Sequence, residues 1–146
     1  FNTEHSWPRS DGADVAPRNS VLHHLFPTDE EANARRGNLP YGDTDCAGGC
    51  DWAVGGSEVG RSVAGDHAVF EVRPAFRGDV ARAHFYFSVR YRLPIPRSEE
   101  IALRRWHEED PPSDRERERN DRIESLQHNR NPFVDRPDFV ARIADF

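Results

Sequence analysis

Near the start of the chain, "FNTEHSWPRS" sets a glutamate beside a histidine, Glu4 and His5. An acid next to an imidazole can hold a hard cation and move a proton. Mg²⁺ takes oxygen ligands and keeps several waters, so one carboxylate and one amide oxygen suffice when a substrate phosphate completes the shell. A neutral imidazole beside the ion can take a proton from water near pH 7. Asn33, in "DEEANARRGN", supplies such an amide oxygen from the middle of an expected helix, where Asn is a poor helix former. These three residues point to metal-assisted hydrolysis of a phosphodiester, with Glu4 and Asn33 as ligands and His5 as the base. The plainer reading is a solvent-facing acid, a packed histidine and an amide bonded to a loop. Adjacent strand residues point to opposite faces, so Glu4 and His5 converge only where the strand ends or twists.

The elements that must position them are short. "FNTEH" reads as a strand, "SWPRSDGADVAPRNS" as a Pro/Gly/Asp/Ser loop, and "VLHHLF" as a second strand. Thr28 with Glu31 forms a capping box, and Gly37 ends the helix that carries Asn33. Strand, loop, strand and helix can fold so that the helix crosses the hairpin and brings Asn33 to Glu4 and His5. Residues 40–66 hold seven glycines and read as irregular, with room for a short strand pair before the strand "HAVFEVRP". A helix follows over "RGDVARAHFYFSVRYRL", capped by Asp79, with Val80, Ala83, Phe87 and Tyr91 on one face. The next helix has Ser98 as its cap and Ile101 and Trp106 as anchors. Ser113 and Glu116 open another that runs to about His128, and a last short helix near Pro137 buries Phe139, Val140 and Ile143. The expected class is α+β, with a mostly helical remainder.

The 146 residues suit one domain, 1–146. The chain has no Met, so it is read as processed or cut from a longer protein, and what preceded Phe1 is open. No apolar run approaches the roughly 20 residues of a membrane helix, and no membrane partner is expected. All 20 basic residues are Arg, in a chain of net charge −6. That sum argues against indiscriminate nucleic-acid binding. The distribution is uneven, however: residues 71–107 hold eight Arg against four acids. Those arginines either bind phosphate or pair with nearby carboxylates. Cys46 and Cys50, in "DCAGGC", are expected to form a small disulfide loop; a zinc site completed by a His is the weaker alternative.

"EHSWPRS" resembles the strand motif of the bacterial endonuclease I family, nonspecific secreted or periplasmic nucleases of the ββα-metal (His-Me finger) class. The resemblance continues through "LHHLFPTDEEANARRGN", at Leu25, Pro27, Glu31, Asn33, Arg36, Gly37 and Asn38. It continues again through "RGDVARAHFYFSVRY" and "WHEEDPPSDRERERNDRIESLQHNRNPFVDRP". It implies a ββα-metal core over about residues 1–38, with His5 as general base, Glu4 and Asn33 as ligands, and Mg²⁺ as the ion, which Mn²⁺ or Ca²⁺ could replace. The implied substrates are DNA and RNA, cut with little sequence preference to 5′-phosphate products, in a secreted or periplasmic setting. The family's loop arginine, which steadies the transition-state phosphate, falls on Arg9 or Arg18, with Arg18 chosen. Arg9 and Arg36 are assigned to substrate, with helix-end pairing the alternative for Arg36, and Asn38 to a structural role. His23 and His24 include at least one packed histidine, and Asn120, Gln127, Asn129 and Asn131 are read as polar supports. Two departures stand out: almost nothing precedes the Glu-His strand, and the following loop is short. A catalytically silent nucleic-acid-binding or interaction module on the same fold is the competing reading.

Overall fold

Two short extended segments, far apart in sequence, tie down the start of the chain. β1 (Asn2–His5) pairs antiparallel with β2 (Leu25–Thr28), with Glu4 opposite Phe26 and His5 opposite Leu25. The computed structural model describes residues 1–146. β2 starts later than "VLHHLF" suggests, because Leu22–His24 forms a 3-10 turn. Side chains from a distant helix hold that turn: Gln127 accepts from the Leu22 amide at 3.0 Å, and Arg119 donates to the Leu22 carbonyl at 2.6 Å. The loop between the strands is pinned by buried Trp7. Its ring stacks on Phe87 at 5.0 Å, and its Nε1 donates to the Asp11 carbonyl at 2.9 Å.

α1 (Glu30–Arg36) follows β2 directly. Its cap is Asp29 and not Thr28. Thr28 is committed to pairing with Asn2, whereas Asp29 accepts from the Glu31 and Ala32 amides at 2.9 and 3.2 Å. Glu31 is thereby released from a capping box, and it accepts from Trp52 Nε1 at 3.0 Å. Gly37 ends the helix at φ +50°, where a side chain would be strained.

The glycine-rich stretch is more ordered than its composition suggests. β3 (Trp52–Val54), β4 (Ser57–Arg61) and β5 (Ala68–Glu71) form an antiparallel sheet in that order. Gly55 and Gly56, both at positive φ, make the two-residue turn that joins β3 to β4. Cys46 and Cys50 are joined as a disulfide, so they cannot act as thiolate ligands and the zinc reading is excluded.

α2 (Arg77–Tyr91) is the axis of the fold. It is buried on every side from Val80 to Ser88, so the one-faced stripe drawn from Val80, Ala83, Phe87 and Tyr91 understates its burial. Asp79 does not cap it; it sits within the first turn. Gly78 is required there because a Cβ would collide with the Asp110 carbonyl, while its own amide donates to Asp110 Oδ2 at 2.9 Å. Buried Arg82 is answered by Glu116 through bonds of 2.8 and 2.6 Å.

α3 (Arg97–Glu109) packs along α2 through Leu103 and Trp106. Ile101 is exposed and Ser98 makes no cap, so neither has its expected role. α4 (Asp114–Gln127) is capped by Ser113 as expected, but Glu116 turns inward to Arg82 and does not close a box. α5 (Pro132–Asp135) and a 3-10 turn, Pro137–Arg142, close the chain. Val140 is buried there, Phe139 and Ile143 only partly, and Phe146 stacks on Phe85 at 4.3 Å. Asn120 and Asn131 bond reciprocally, at 3.1 and 2.8 Å, and hold α5 to α4. The architecture is α+β.

Candidate active site

The site is assembled where β1 ends against α1. The Arg36 side chain is only 3 % exposed, and its guanidinium reaches back to the strand. Nη1 donates to Glu4 Oε1 at 2.8 Å and to the His5 carbonyl at 3.0 Å, and Nη2 donates to the Ser6 carbonyl at 2.7 Å. Arg36 therefore faces inward, and the assignment of this residue to substrate is corrected. Both terminal nitrogens are committed to the strand, as the helix-end pairing alternative anticipates, while the buried Nε has no partner.

The Glu4 side chain is 13 % exposed. Its Oε1 also accepts from the Tyr41 hydroxyl at 3.2 Å, and Oε2 receives no donor from the protein. Burial raises the carboxyl pKa, against the Arg36 charge and the Tyr41 and Arg36 hydrogen bonds, which lower it. One oxygen is thus fixed and the other left with its lone pairs. Asn33 lies one turn before Arg36, on the face of α1 that meets β1. It is half-buried, and its side-chain amide makes no hydrogen bond within the protein. A carboxylate oxygen and an amide oxygen, both uncommitted, are hard donors of the kind that suit Mg²⁺, Mn²⁺ or Ca²⁺.

His5 is held by other partners. Its Nε2 lies 3.3 Å from the Asn19 carbonyl, which can only accept, so Nε2 carries the proton and Nδ1 presents the lone pair. The ring packs at 5.4 Å against His24, which is wholly buried. Burial lowers the His24 pKa to about 3, and the surrounding His5, Arg119 and His23 charges act in the same direction. The neighbour of His5 is therefore neutral at physiological pH. Both His23 and His24 are packed histidines; His23 Nε2 bonds Asn129 Oδ1 at 2.9 Å.

Under Glu4 runs a second layer that the sequence did not disclose. Tyr41 is buried beneath the Arg36 guanidinium, 4.5 Å from its ring, and the Tyr41 amide donates to Glu99 Oε1 at 2.8 Å. Burial pushes the Glu99 carboxyl up to about 7, opposed by that amide bond and by Arg36. The only available signal for Tyr41 was an aromatic with a polar tip, a few residues beyond the matched "ARRGN".

The remaining candidates lie apart from this layer. Arg18 donates from Nη1 to the Gly12 carbonyl at 3.2 Å and lies over the Tyr91 ring at 5.2 Å. It immediately precedes Asn19, whose carbonyl orients His5. Arg9 is exposed on the 3-10 turn Arg9–Asp11, and Asn38 is exposed just beyond α1. Neither side chain makes an ion pair or hydrogen bond with the protein, so nothing in the contacts of Asn38 supplies the structural role expected of it.

Comparison with known proteins bears on this arrangement. The family model described as Endonuclease I matches residues 1–138. The extracellular ribonuclease of Bacillus subtilis (strain 168) is 34 % identical, over 98 % of this chain and 54 % of that protein. The extracellular ribonuclease of Bacillus amyloliquefaciens is 32 % identical, over 98 % of this chain and 53 % of that protein. An extracellular deoxyribonuclease of Aeromonas hydrophila is 31 % identical, over 79 % of this chain and 48 % of that protein. The chain spans about half the length of the curated relatives it matches.

Proposed function

The chain belongs to the endonuclease I family, and on that premise we propose that it is a metal-dependent nonspecific endonuclease of the ββα-metal type, acting on DNA and RNA. The observation that carries this reading is the end of β1. There Glu4 keeps Oε2 free while Oε1 is clamped, and His5 keeps Nδ1 free while Nε2 is held.

Glu4 Oε2 and the Asn33 amide oxygen would hold one Mg²⁺. When bound, the ion supplies Lewis-acid stabilisation of negative charge on the phosphoryl and leaving oxygens. His5 Nδ1 takes a proton from water as the water oxygen attacks phosphorus. The bond from phosphorus to the 3′-oxygen breaks, the departing oxygen takes a proton from solvent, and the products are a 3′-hydroxyl and a 5′-phosphate. His24, buried and neutral, packs against the imidazole and helps to hold its position. Arg36 fixes the Glu4 carboxylate and the His5 and Ser6 carbonyls. Arg18, next to the carbonyl that orients His5, is the cation assigned to the phosphoryl oxygens. Arg9, exposed on the same loop, is assigned to backbone phosphates.

The disulfide and the names of the extracellular relatives support action in an oxidising compartment, secreted or periplasmic. No helix is long and apolar enough to cross a membrane.

Plasmid DNA and a long RNA, each incubated with the protein and Mg²⁺, test the proposal. Cleavage abolished by EDTA, with 5′-phosphate ends, is expected. Intact DNA and RNA under Mg²⁺, Mn²⁺ and Ca²⁺, with a folded protein, would overturn it; binding without cleavage would favour the silent module.

A further inference from the structure

Several surface arginines in this acidic chain are neutralised by a carboxylate. Arg122 pairs with Glu118 at 2.5 Å, Arg130 with Asp135 at 2.7 Å and Arg142 with Asp138 at 2.7 Å. Such guanidiniums have little charge left for a phosphate. Arg18 and Arg90 differ. Neither has a carboxylate partner; both lie over Tyr91, at 5.2 and 5.7 Å from the ring centroid. Arg90 Nε also donates to the Tyr91 hydroxyl at 3.4 Å. An aromatic face attracts a guanidinium without cancelling its charge, so the cation is oriented and yet remains available. Asp11 and Asp14, the acids of the β1–β2 loop, pair with neither.

The platform is joined to the reactive residues by a run of packed rings. The Tyr91 ring rests on Phe87 at 4.7 Å, and Phe87 meets the His24 ring at 4.6 Å, which in turn packs on His5. Arg18 arrives from the β1–β2 loop and Arg90 from the last turn of α2, so two elements bring positive charge to one spot. Beside them Arg92 is exposed and free of ion pairs. In a chain of net charge −6, a polyanion needs such a local exception to approach.

We propose that Tyr91 couples two arginines into a phosphate clamp on the His5 side of the site: Arg18 keeps the phosphoryl oxygens of the cleaved bond, and Arg90 takes the backbone phosphate of the nucleic-acid strand beside it. The clamp rests on the nuclease reading. Tyr91 and Arg90 contact no reacting atom; they act by holding substrate, and the contact is to phosphate oxygens and not to base edges.

The test is the salt dependence of binding, measured with the full chain carrying His5→Ala, on a duplex DNA and on a single-stranded RNA of equal length. Losing one phosphate contact lowers the slope of log K against log salt by about 0.9 for duplex DNA and about 0.7 for a single strand. Arg90→Gln is expected to lower the slope by that amount on each ligand that uses the clamp, and Tyr91→Leu by at least as much, although it removes no charge. Arg142→Gln, paired with Asp138 elsewhere, is expected to leave the slope unchanged. An Arg90→Gln slope equal to the parent on both ligands, or an equal fall for Arg142→Gln, would overturn the clamp. Cleavage by the wild-type chain is scored separately. Cleavage with an unchanged Arg90→Gln slope removes the clamp alone, and a lowered slope without cleavage removes the nuclease reading alone.

Discussion

Arg36→Met is the perturbation that tests the organisation of the site most directly. Methionine approximates the stem of arginine and removes every donor. In the wild type the guanidinium satisfies Glu4 Oε1 at 2.8 Å, the His5 carbonyl at 3.0 Å and the Ser6 carbonyl at 2.7 Å, from a side chain that is 3 % exposed. The variant leaves a carboxylate that is 13 % exposed with one neutral partner, the Tyr41 hydroxyl. Removing one partner of a buried ion pair costs about 3–5 kcal/mol. A domain of this kind has about 5–15 kcal/mol in total, so the variant is folded but marginal. The pH dependence identifies the cause. The Glu4 pKa is already raised by burial, and Arg36 is the main influence opposing that rise. Without Arg36 it rises further. A carboxyl with a raised folded pKa contributes stability that is fully present below its unfolded value and is lost as pH rises through its folded value. The gap between wild type and variant therefore widens from pH 5 to pH 8. Urea unfolding followed by tryptophan fluorescence at both pH values measures it. A gap below about 1 kcal/mol at pH 8, or one that does not shrink at pH 5, would refute the reasoning. Arg36→Lys restores the charge without the planar fork and should recover only part of the loss.

Three further outcomes are expected. His5→Ala should slow phosphodiester cleavage roughly 10²–10⁴-fold while leaving the thermal midpoint near that of the wild type, and comparable rates would exclude His5 as the base. The His24 pKa is lowered to about 3, so its contribution to stability is present above its unfolded value and drains away as pH falls towards that figure. Glu99 and Asp79, both raised to about 7, act in the opposite sense, so the comparison must be made against His24→Phe. The stability of wild type minus variant should fall by about 2 kcal/mol between pH 7 and pH 5, and a flat difference would mean that His24 is not buried neutral. Gly78→Ala should destabilise by about 3 kcal/mol, because the new methyl meets the Asp110 carbonyl; an unchanged urea midpoint would show that α2 and the end of α3 do not meet that closely.

What could be read ahead of the structure was local. Glu4 and His5 at a strand end, Ser113 as a cap and the helix run ending near His128 depend on neighbours within a few residues. What escaped depends on partners far along the chain. Thr28 and Asp29 are both good caps, and pairing with Asn2 on another strand decides between them. Ile101 looked like an anchor because its own helix gives no sign of which face meets α2. α2 carries Arg82 and His84 among its apolar residues; Glu116 on α4 and the Asp110 carbonyl at the end of α3 make the burial of Arg82 tolerable, and burial keeps His84 neutral. Tyr41 and the turn of Arg36 towards Glu4 were hidden for the same reason: both act across more than thirty positions.

The site's design principle is that each reactive group is split into an atom that is held and an atom that is left. Glu4 has Oε1 held by Arg36 and Tyr41, with Oε2 left; His5 has Nε2 held by Asn19, with Nδ1 left. Arg18 has Nη1 on the Gly12 carbonyl and its face on Tyr91, with its remaining donors left. A free side chain would sample several rotamers, and each reaction would have to overcome that entropy. Holding one end removes most of this freedom before substrate arrives, while the other end stays reactive. This explains why the buried ion pair persists despite its desolvation cost. An apolar pair in place of Arg36 and Glu4 could stabilise the fold as well, but it would leave no carboxylate oxygen at the strand end and nothing to fix the His5 carbonyl. The arrangement favours position over stability, which is the trade expected where a strand of four residues, β1, must carry two reacting groups.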